Sequence, residues 1–391
     1  MSSTDKWQGL GGGGEGVSIV IVGTGGLGAP LVGEIAQLPG VRTMVLVDHA
    51  CCGEAGATHE GAMRRELGRP KVDVQARRAQ RINPQLEIAP IHARVETVPL
   101  GRLRGRVILA AVDSAAARRR VNQAAWRLGI PWIDGRVSRR GGKVSVRSYV
   151  PGPDAPCLEC ARGPADDDVP RRSTGTAAKG EPVEAAPGGR AVAAGLMAAE
   201  CMRLLEANGE YPIGGRQVLI DLRRHVLHAT LPERNVRCPF DHAVWSIEPV
   251  AQSPTKLTPA QAIRAAAGVR GLCPGWAMRL EGLSFARRQY CATCRTVTSD
   301  SIYIAERIPW RSRQCPTCGR PMQVRRRDTF EALELSALKK PERRRTLHSM
   351  GLREGDVYTV EGPRGTWHYE LSRRPRPAAN HRRPPGPATP T

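Results

Sequence analysis

Aromatic side chains are scarce in this sequence. Phe, Trp and Tyr make up 4% of its 391 residues, so a core has to be assembled mainly from Ala, Val, Leu and Ile. The length predicts two or three domains, and hydrophobic residues total 40%, enough for a sizeable core. No stretch of about 20 apolar residues occurs, so no membrane-spanning helix is expected. Residues 1–16 lack an apolar h-region and are not expected to be a secretory signal. The expected setting is therefore a reducing cytoplasm, where paired cysteines more often bind metal than form disulfides.

Acidic residues are also in deficit. Lys and Arg number 59 against 37 Asp and Glu, a net charge of +22. The excess is uneven: residues 251–391 carry 26 Lys/Arg against 11 Asp/Glu, and residues 1–250 carry 33 against 26. A basic last third suits an acidic partner, either nucleic acid or an acidic protein face, or it is simply a solvated surface.

Residues 1–16 read as a flexible leader, with Gly11 to Gly14 in a row. The unbroken apolar run 17–22 predicts a buried parallel strand. A glycine loop follows, then a helix to about 38 and a strand over 42–47. Helix is expected over 71–82, 115–128 and 190–205. Strand is expected over 86–92, 107–112, from 131, and over 143–149, 217–221 and 226–231. Strands alternating with helices predict an α/β fold, a doubly wound and mostly parallel sheet. Residues 161–187 are rich in Pro, Gly, Asp, Ser and Thr and read as a long loop. A composition shift at 251–258 ends this first domain near residue 250. A small module is expected over 258–371 and a disordered basic Pro-rich tail over 372–391.

Gly23-Thr24-Gly25-Gly26-Leu27-Gly28 is a G-x-G-x-x-G loop between a strand and a helix. Its glycines allow a tight turn and close approach of backbone amides to phosphate, with the helix N-terminus facing the anion. Asp48, 20 residues beyond Gly28, ends the next strand and is placed to accept ribose hydroxyls. Alone, these features suit an NAD-binding unit. Lys71 opens the following helix and could reach the β- and γ-phosphates of a nucleotide. Asp113 follows the strand 107–112 and could hold Mg²⁺. Competing roles are a surface lysine for Lys71 and a helix N-cap for Asp113.

Taken in order, Gly23, Gly25, Gly26 and Gly28, Asp48, Gly68 to Lys71, Asp113 with Arg118 and Asn122, Gly135, and Cys157-Leu158-Glu159-Cys160 resemble the ubiquitin-activating (ThiF-like) superfamily. Ala198-Ala199-Glu200, in the Ala-rich helix, adds to the resemblance, which covers roughly residues 17–245. That superfamily includes the adenylyltransferases that serve sulfur-carrier proteins. The resemblance implies a Rossmann-like fold and ATP-dependent adenylation of the C-terminal carboxylate of a ubiquitin-like or sulfur-carrier protein. It also implies that Asp48 binds ribose, Lys71 the phosphates, and that Asp113 acts with Mg²⁺. Homodimers are common in the family and a homodimer is expected on that ground; departures from the family pattern leave a heterodimer-dependent subunit as the alternative.

The sequence departs from the family in two places. The family's Asn-Leu-Asn-Arg-like segment after the ribose acid is here Glu54-Ala55-Gly56-Ala57-Thr58-His59, without its phosphate-touching arginine. Arg64, Arg65 and Arg69 are the nearest substitutes. The leader contains no Arg, whereas the family often has one in an N-terminal helix that reaches a partner subunit. Family members that form a thioester place a Cys near the loop preceding the Ala-rich helix, and residues 161–187 contain none. Adenylation without a thioester on this chain is the expectation; Cys201 reads as a packed residue, and Cys51 and Cys52 lie away from the expected position.

Cys157-x-x-Cys160 aims two thiolates at one point. Cys238-Pro-Phe-Asp-His242 can complete a Cys₃His zinc site, at a place where the family often carries a second Cys-x-x-Cys. Cys291-x-x-Cys294 and Cys315-x-x-Cys318 have zinc-ribbon spacing. In a small module the metal is expected to replace much of a missing core. The ribbon is expected to dock a protein. Nucleic acid is the alternative, given Arg311, Arg313, Arg320 and Arg325 to Arg327, although only Tyr290, Tyr303 and Trp310 could stack on bases. Two other readings of the whole chain stay open. An NAD-dependent dehydrogenase would use the glycine loop and Asp48 but has no need of Lys71 or Asp113. A degenerate Rossmann and zinc-ribbon scaffold would explain the charge and the missing arginines.

Overall fold

The computed structural model describes residues 16–53, 64–138, 142–161, 187–207, 215–267, 275–298, 302–308, 314–363 and 365–372. The expected leader, loop 161–187 and tail lie outside these, apart from their ends, as do residues 54–59, Trp310, Arg311 and Arg313. The chain divides into two compact units, Met1–Trp245 and Ser246–Thr391.

The first unit contains β1 (Val17–Val22), α1 (Gly28–Ala36), β2 (Val41–Asp48), α2 (Lys71–Ile82), β3 (Glu87–His92), β4 (Val107–Ala110), α3 (Ala115–Leu128), β5 (Trp132–Val137), β6 (Lys143–Tyr149), α4 (Pro187–Glu206), β7 (Arg216–Asp221) and β8 (Val226–Thr230). Its eight-stranded sheet has the order β3-β2-β1-β4-β5-β6-β7-β8. The first five strands are parallel and the last three are added antiparallel. The two expected classes of strand appear accordingly. β4 is buried at every position, while β6 alternates between buried and less buried residues. Ile19, Ile21, Leu31, Ile35, Met44, Leu109 and Ile133 share one core with Ala193, Met197 and Leu204 of α4. The doubly wound sheet expected from the alternation of strands and helices is the fold of this unit.

Helix α3 shows how local sequence sets its ends. Ser114 is the N-cap and its hydroxyl accepts from the Ala117 N–H. Gly129 closes the helix at φ 65°, in the left-handed region that glycine enters at least cost. Since β1 lies between β2 and β4, the strand order reverses at β1. A crevice therefore opens at the C-terminal ends of β1 and β4.

The second unit is built from β9 (Ile247–Val250), α5 (Pro259–Ala267), β10 (Ala277–Leu280), β11 (Phe285–Ala286), β12 (Gln289–Cys291), β13 (Val297–Thr298), β14 (Tyr303–Ile304), β15 (Met322–Gln323), β16 (Thr329–Phe330), β17 (Ala332–Glu334), β18 (Val357–Gly362) and β19 (Gly365–Leu371). β9 pairs in parallel with β19, in a sheet of order β17-β10-β18-β19-β9. Residues 246–250, expected at the end of the first domain, thus belong to the second unit.

The expectation of a module without a core is also corrected. Trp276, Met278, Phe285, Ile304, Leu333, Leu347, Tyr358 and Val360 form a hydrophobic core of their own. The second cysteine quartet sits on a separate three-stranded sheet, β13-β12-β15, whose buried cluster among the described residues is Cys291, Cys315 and Met322. Metal removal by a chelator is therefore expected to unfold the knuckle strands β12, β13 and β15 and to spare β14, β18 and β19. Amide hydrogen exchange would read this directly. Simultaneous loss of protection in residues 357–371 would show that the metal holds the whole unit.

Candidate active site and metal centres

The loop after β1 owes its shape to two glycines. Gly23 has φ 89°, and a Cβ there would lie 2.4 Å from the Ala111 carbonyl oxygen. A Cβ on Gly28 would lie 1.9 Å from the Gly23 oxygen, so the turn closes only without side chains at both positions. No side chain caps α1, which leaves its N-terminus to an external anion.

Asp48 is tied to this loop. Its Oδ2 accepts from the Thr24 N–H at 2.8 Å and the Thr24 hydroxyl at 3.2 Å, and its Oδ1 accepts from the Ala50 N–H at 2.9 Å. With one donor against the two on Oδ2, Oδ1 retains acceptor capacity for a ligand hydroxyl. Backbone pairing then carries Lys71 to the same place. Cys52 N–H donates to Arg69 O, Gly68 N–H to Cys52 O, and Lys71 N–H to Ala50 O, at 2.8, 2.9 and 3.0 Å. The segment opening α2 is thereby stitched to the chain just beyond Asp48. Because Ser114 caps α3, the exposed Asp113 carboxylate is not used as the cap.

These residues meet in one cleft of about 1040 Å³. Gly23, Gly25, Gly26, Asp48, Lys71 and Asp113 all line it. Gly28 does not; it serves the turn behind the wall. The cleft also brings in residues that sequence reasoning missed: Arg94, Arg136, Ser138, Lys143 and Arg190. Asp134, 2% exposed, explains two of the cations. Its oxygens accept from Arg118 Nε at 2.9 Å and from Arg136 Nε at 2.6 Å, so one buried carboxylate orients both guanidiniums. The lining carries six basic side chains (Lys71, Arg94, Arg118, Arg136, Lys143, Arg190) against three acidic ones (Asp48, Glu96, Asp113). That balance suits a polyanion such as a nucleotide triphosphate.

Arg65 and Arg69, the suggested substitutes for the missing arginine, are elsewhere. They line a separate hollow with Glu66, Arg77, Gln80 and Arg81. The side chain of Arg64 lies outside the described residues.

Both expected metal quartets assemble. Cys157, Cys160, Cys238 and His242 place their ligand atoms within 4.8 Å of one another, as do Cys291, Cys294, Cys315 and Cys318. In the first, Cys157 Sγ lies 3.7 Å from Cys238 Sγ and 3.8 Å from Cys160 Sγ. Tetrahedral zinc with bonds of about 2.3 Å spaces its sulfurs by about 3.8 Å, so this donor set fits that ion. His242 is turned into the site by a left-handed backbone, φ 57°. Its Nδ1 is 3.2 Å from the Ala155 carbonyl oxygen, an N–H donation that would leave Nε2 free to ligate. Burial pushes the Cys157 thiol up, and the Cys160 and Cys238 sulfurs add to the rise; a bound cation would reverse this by favouring the thiolates. The surrounding chain anchors the clamp to α3. Asn122 Oδ1 accepts from the Leu158 N–H at 3.1 Å, Trp126 packs edge-on to His242, and Arg127 holds Asp241 through both nitrogens at 2.6 and 3.1 Å.

Cys201 is fully buried, and burial pushes its thiol up to about 12, with Glu200 adding to the rise. It is a packing residue of α4. Cys52 is likewise buried. Cys51 is exposed, 3.9 Å from His92 Nε2, and is not among the residues lining the cleft.

The 3-2-1-4-5 parallel sheet, the glycine turn at its switch point and the acid ending β2 define a Rossmann-like nucleotide-binding protein. The ThiF family model matches residues 15–240, and the chain belongs to the ThiF family. The sulfur carrier protein adenylyltransferase of Thermus thermophilus is 30% identical over 231 residues, covering 57% of this chain and 81% of that protein. The SAMP-activating enzyme E1 of Haloferax volcanii is 28% identical over 240 residues, covering 59% and 83%. Among solved structures, Escherichia coli MccB with ATP is 19% identical with a TM-score of 0.48, covering 60% of this chain and 68% of that one. No helix among the described residues is long and apolar enough to cross a membrane.

Proposed function

We propose that this chain uses ATP to adenylate the C-terminal carboxylate of a ubiquitin-like or sulfur-carrier protein. The observation that carries this reading is the convergence of the glycine loop, Asp48, Lys71 and Asp113 on one cation-rich cleft at the switch point of the sheet. The names of both relatives support it.

In this reading Asp48 accepts the ribose hydroxyls, while the loop amides and the Lys71 ammonium hold the phosphates. Asp113 would hold Mg²⁺, which when bound neutralises phosphate charge. A carboxylate oxygen of the carrier attacks the α-phosphorus. An acyl O–P bond forms, the bond from the α-phosphorus to the bridging oxygen breaks, and pyrophosphate leaves with its electron pair. Two anions have to approach each other, and the fixed cations of the lining lower that electrostatic barrier. The two cysteine quartets would hold structural Zn²⁺, and the ribbon would dock a partner protein. A cytoplasmic setting supplies ATP and keeps the thiols reduced.

The test is ATP–pyrophosphate exchange with candidate carriers that end in a free carboxylate. Exchange is expected with the cognate carrier and is expected to vanish when its C-terminus is amidated. Exchange that survives amidation, or a protein that binds NADH in calorimetry but no ATP·Mg²⁺, would overturn the reading.

A further inference from the structure

Arg190 stands in the first turn of α4 and lines the nucleotide cleft. Half-buried, it lies against the glycine loop. A Cβ built on Gly26 would fall 3.0 Å from the Arg190 Cζ and 3.1 Å from its Nε, so the guanidinium reaches this close only because residue 26 has no side chain. Among the described residues no carboxylate pairs with it. The other arginines of the lining differ. Arg118 and Arg136 commit their Nε to Asp134, and Arg94 is exposed.

A cation in the first turn of a helix faces the positive end of the helix dipole and is disfavoured there. No acidic residue in that turn offsets it. The uncapped start of α1 adds a second set of N–H groups at the same loop. A guanidinium with no carboxylate partner among the described residues, pressed against a phosphate-binding turn beside helix starts of the same sign, is an arrangement completed by an anion.

We infer that Arg190 binds the nucleotide phosphates directly, with its planar fork on phosphate oxygens, and so supplies a phosphate-binding arginine from the start of α4. The identity of the anion rests on the adenylation reading above. A guanidinium fork donates two parallel hydrogen bonds to a phosphate, which an ammonium cannot reproduce.

The test is calorimetric titration of the full metal-loaded chain with ATP·Mg²⁺ and, separately, with adenosine. Arg190→Ala is expected to weaken ATP·Mg²⁺ by about 10- to 100-fold, as loss of a charge-assisted contact does, and to leave adenosine binding unchanged. Arg190→Lys, which keeps the charge and loses the fork, is expected to fall between. Unchanged ATP affinity in Arg190→Ala would overturn the inference. Equal losses for ATP and adenosine would also overturn it, since they would mean that the side chain merely props the loop. A wild-type protein that binds no ATP·Mg²⁺ would instead defeat the adenylation reading itself.

Discussion

Asp113→Asn is expected to slow carrier-dependent pyrophosphate exchange by about 100-fold or more, the scale set by loss of a metal-holding carboxylate. The substitution is nearly isosteric and removes only the negative charge. Ser114, not Asp113, caps α3, so the melting temperature is expected to stay close to that of the wild type, as for other surface changes away from a cap. The combination separates two roles. A carboxylate that serves the reaction gives a large kinetic loss in a stable protein. A carboxylate that serves the helix would show the reverse, and exchange within a few-fold of wild type would remove Asp113 from the machinery.

Asp356→Ala is expected to destabilise the second unit by about 3–5 kcal/mol, the usual result of removing one member of a buried ion pair. Arg307 and Asp356 are 1% and 3% exposed and are joined by two bonds, Nη1 to Oδ2 at 2.5 Å and Nη2 to Oδ1 at 2.8 Å. Asp356 also accepts from the Arg353 N–H at 2.6 Å. Its removal leaves a buried guanidinium charge without its carboxylate, so the loss exceeds that of the contacts alone. Urea unfolding followed by hydrogen exchange in residues 357–371 would measure it. A change under about 1 kcal/mol would mean that water reaches Arg307 in the variant.

The sequence-legible part of the site is the part encoded locally. Gly23 to Gly28, Asp48, Lys71 and Asp113 each stand at the end of an element whose periodicity is strong, and the order of those elements fixes where they meet. The apolar run 17–22 and the amphipathic stretch 71–82 are long enough to be read alone. What stayed hidden depends on distant pairing. Arg190 reaches the loop from more than 160 residues away, with no spacing rule to announce it. Asp134 sits two residues before Arg136 in a buried strand, where a carboxylate has no signature until its two cations are seen around it. In the second unit, strands of two to four residues such as Phe285–Ala286 and Ala277–Leu280 are too short for alternation to register. β9 finds its partner β19 across about 120 residues, which is why residues 247–250 read as the tail of the preceding domain.

A metal bound by the Cys₃His quartet would also change the topology of the first unit. Cys157 and Cys238 are 81 residues apart, and a metal joining them closes the intervening chain into a ring. Inside that ring lie β7, β8 and α4, the helix that carries Arg190. Cross-linking a loop of this length removes about 4–5 kcal/mol of chain entropy from the unfolded ensemble in the loop-closure model. An ion held there would therefore act as a removable staple whose reach extends well past its four ligands. It would restrict the unfolded freedom of the sheet's antiparallel edge and of the helix whose Arg190 lines the cleft, which would link metal supply thermodynamically to the durability of the cleft.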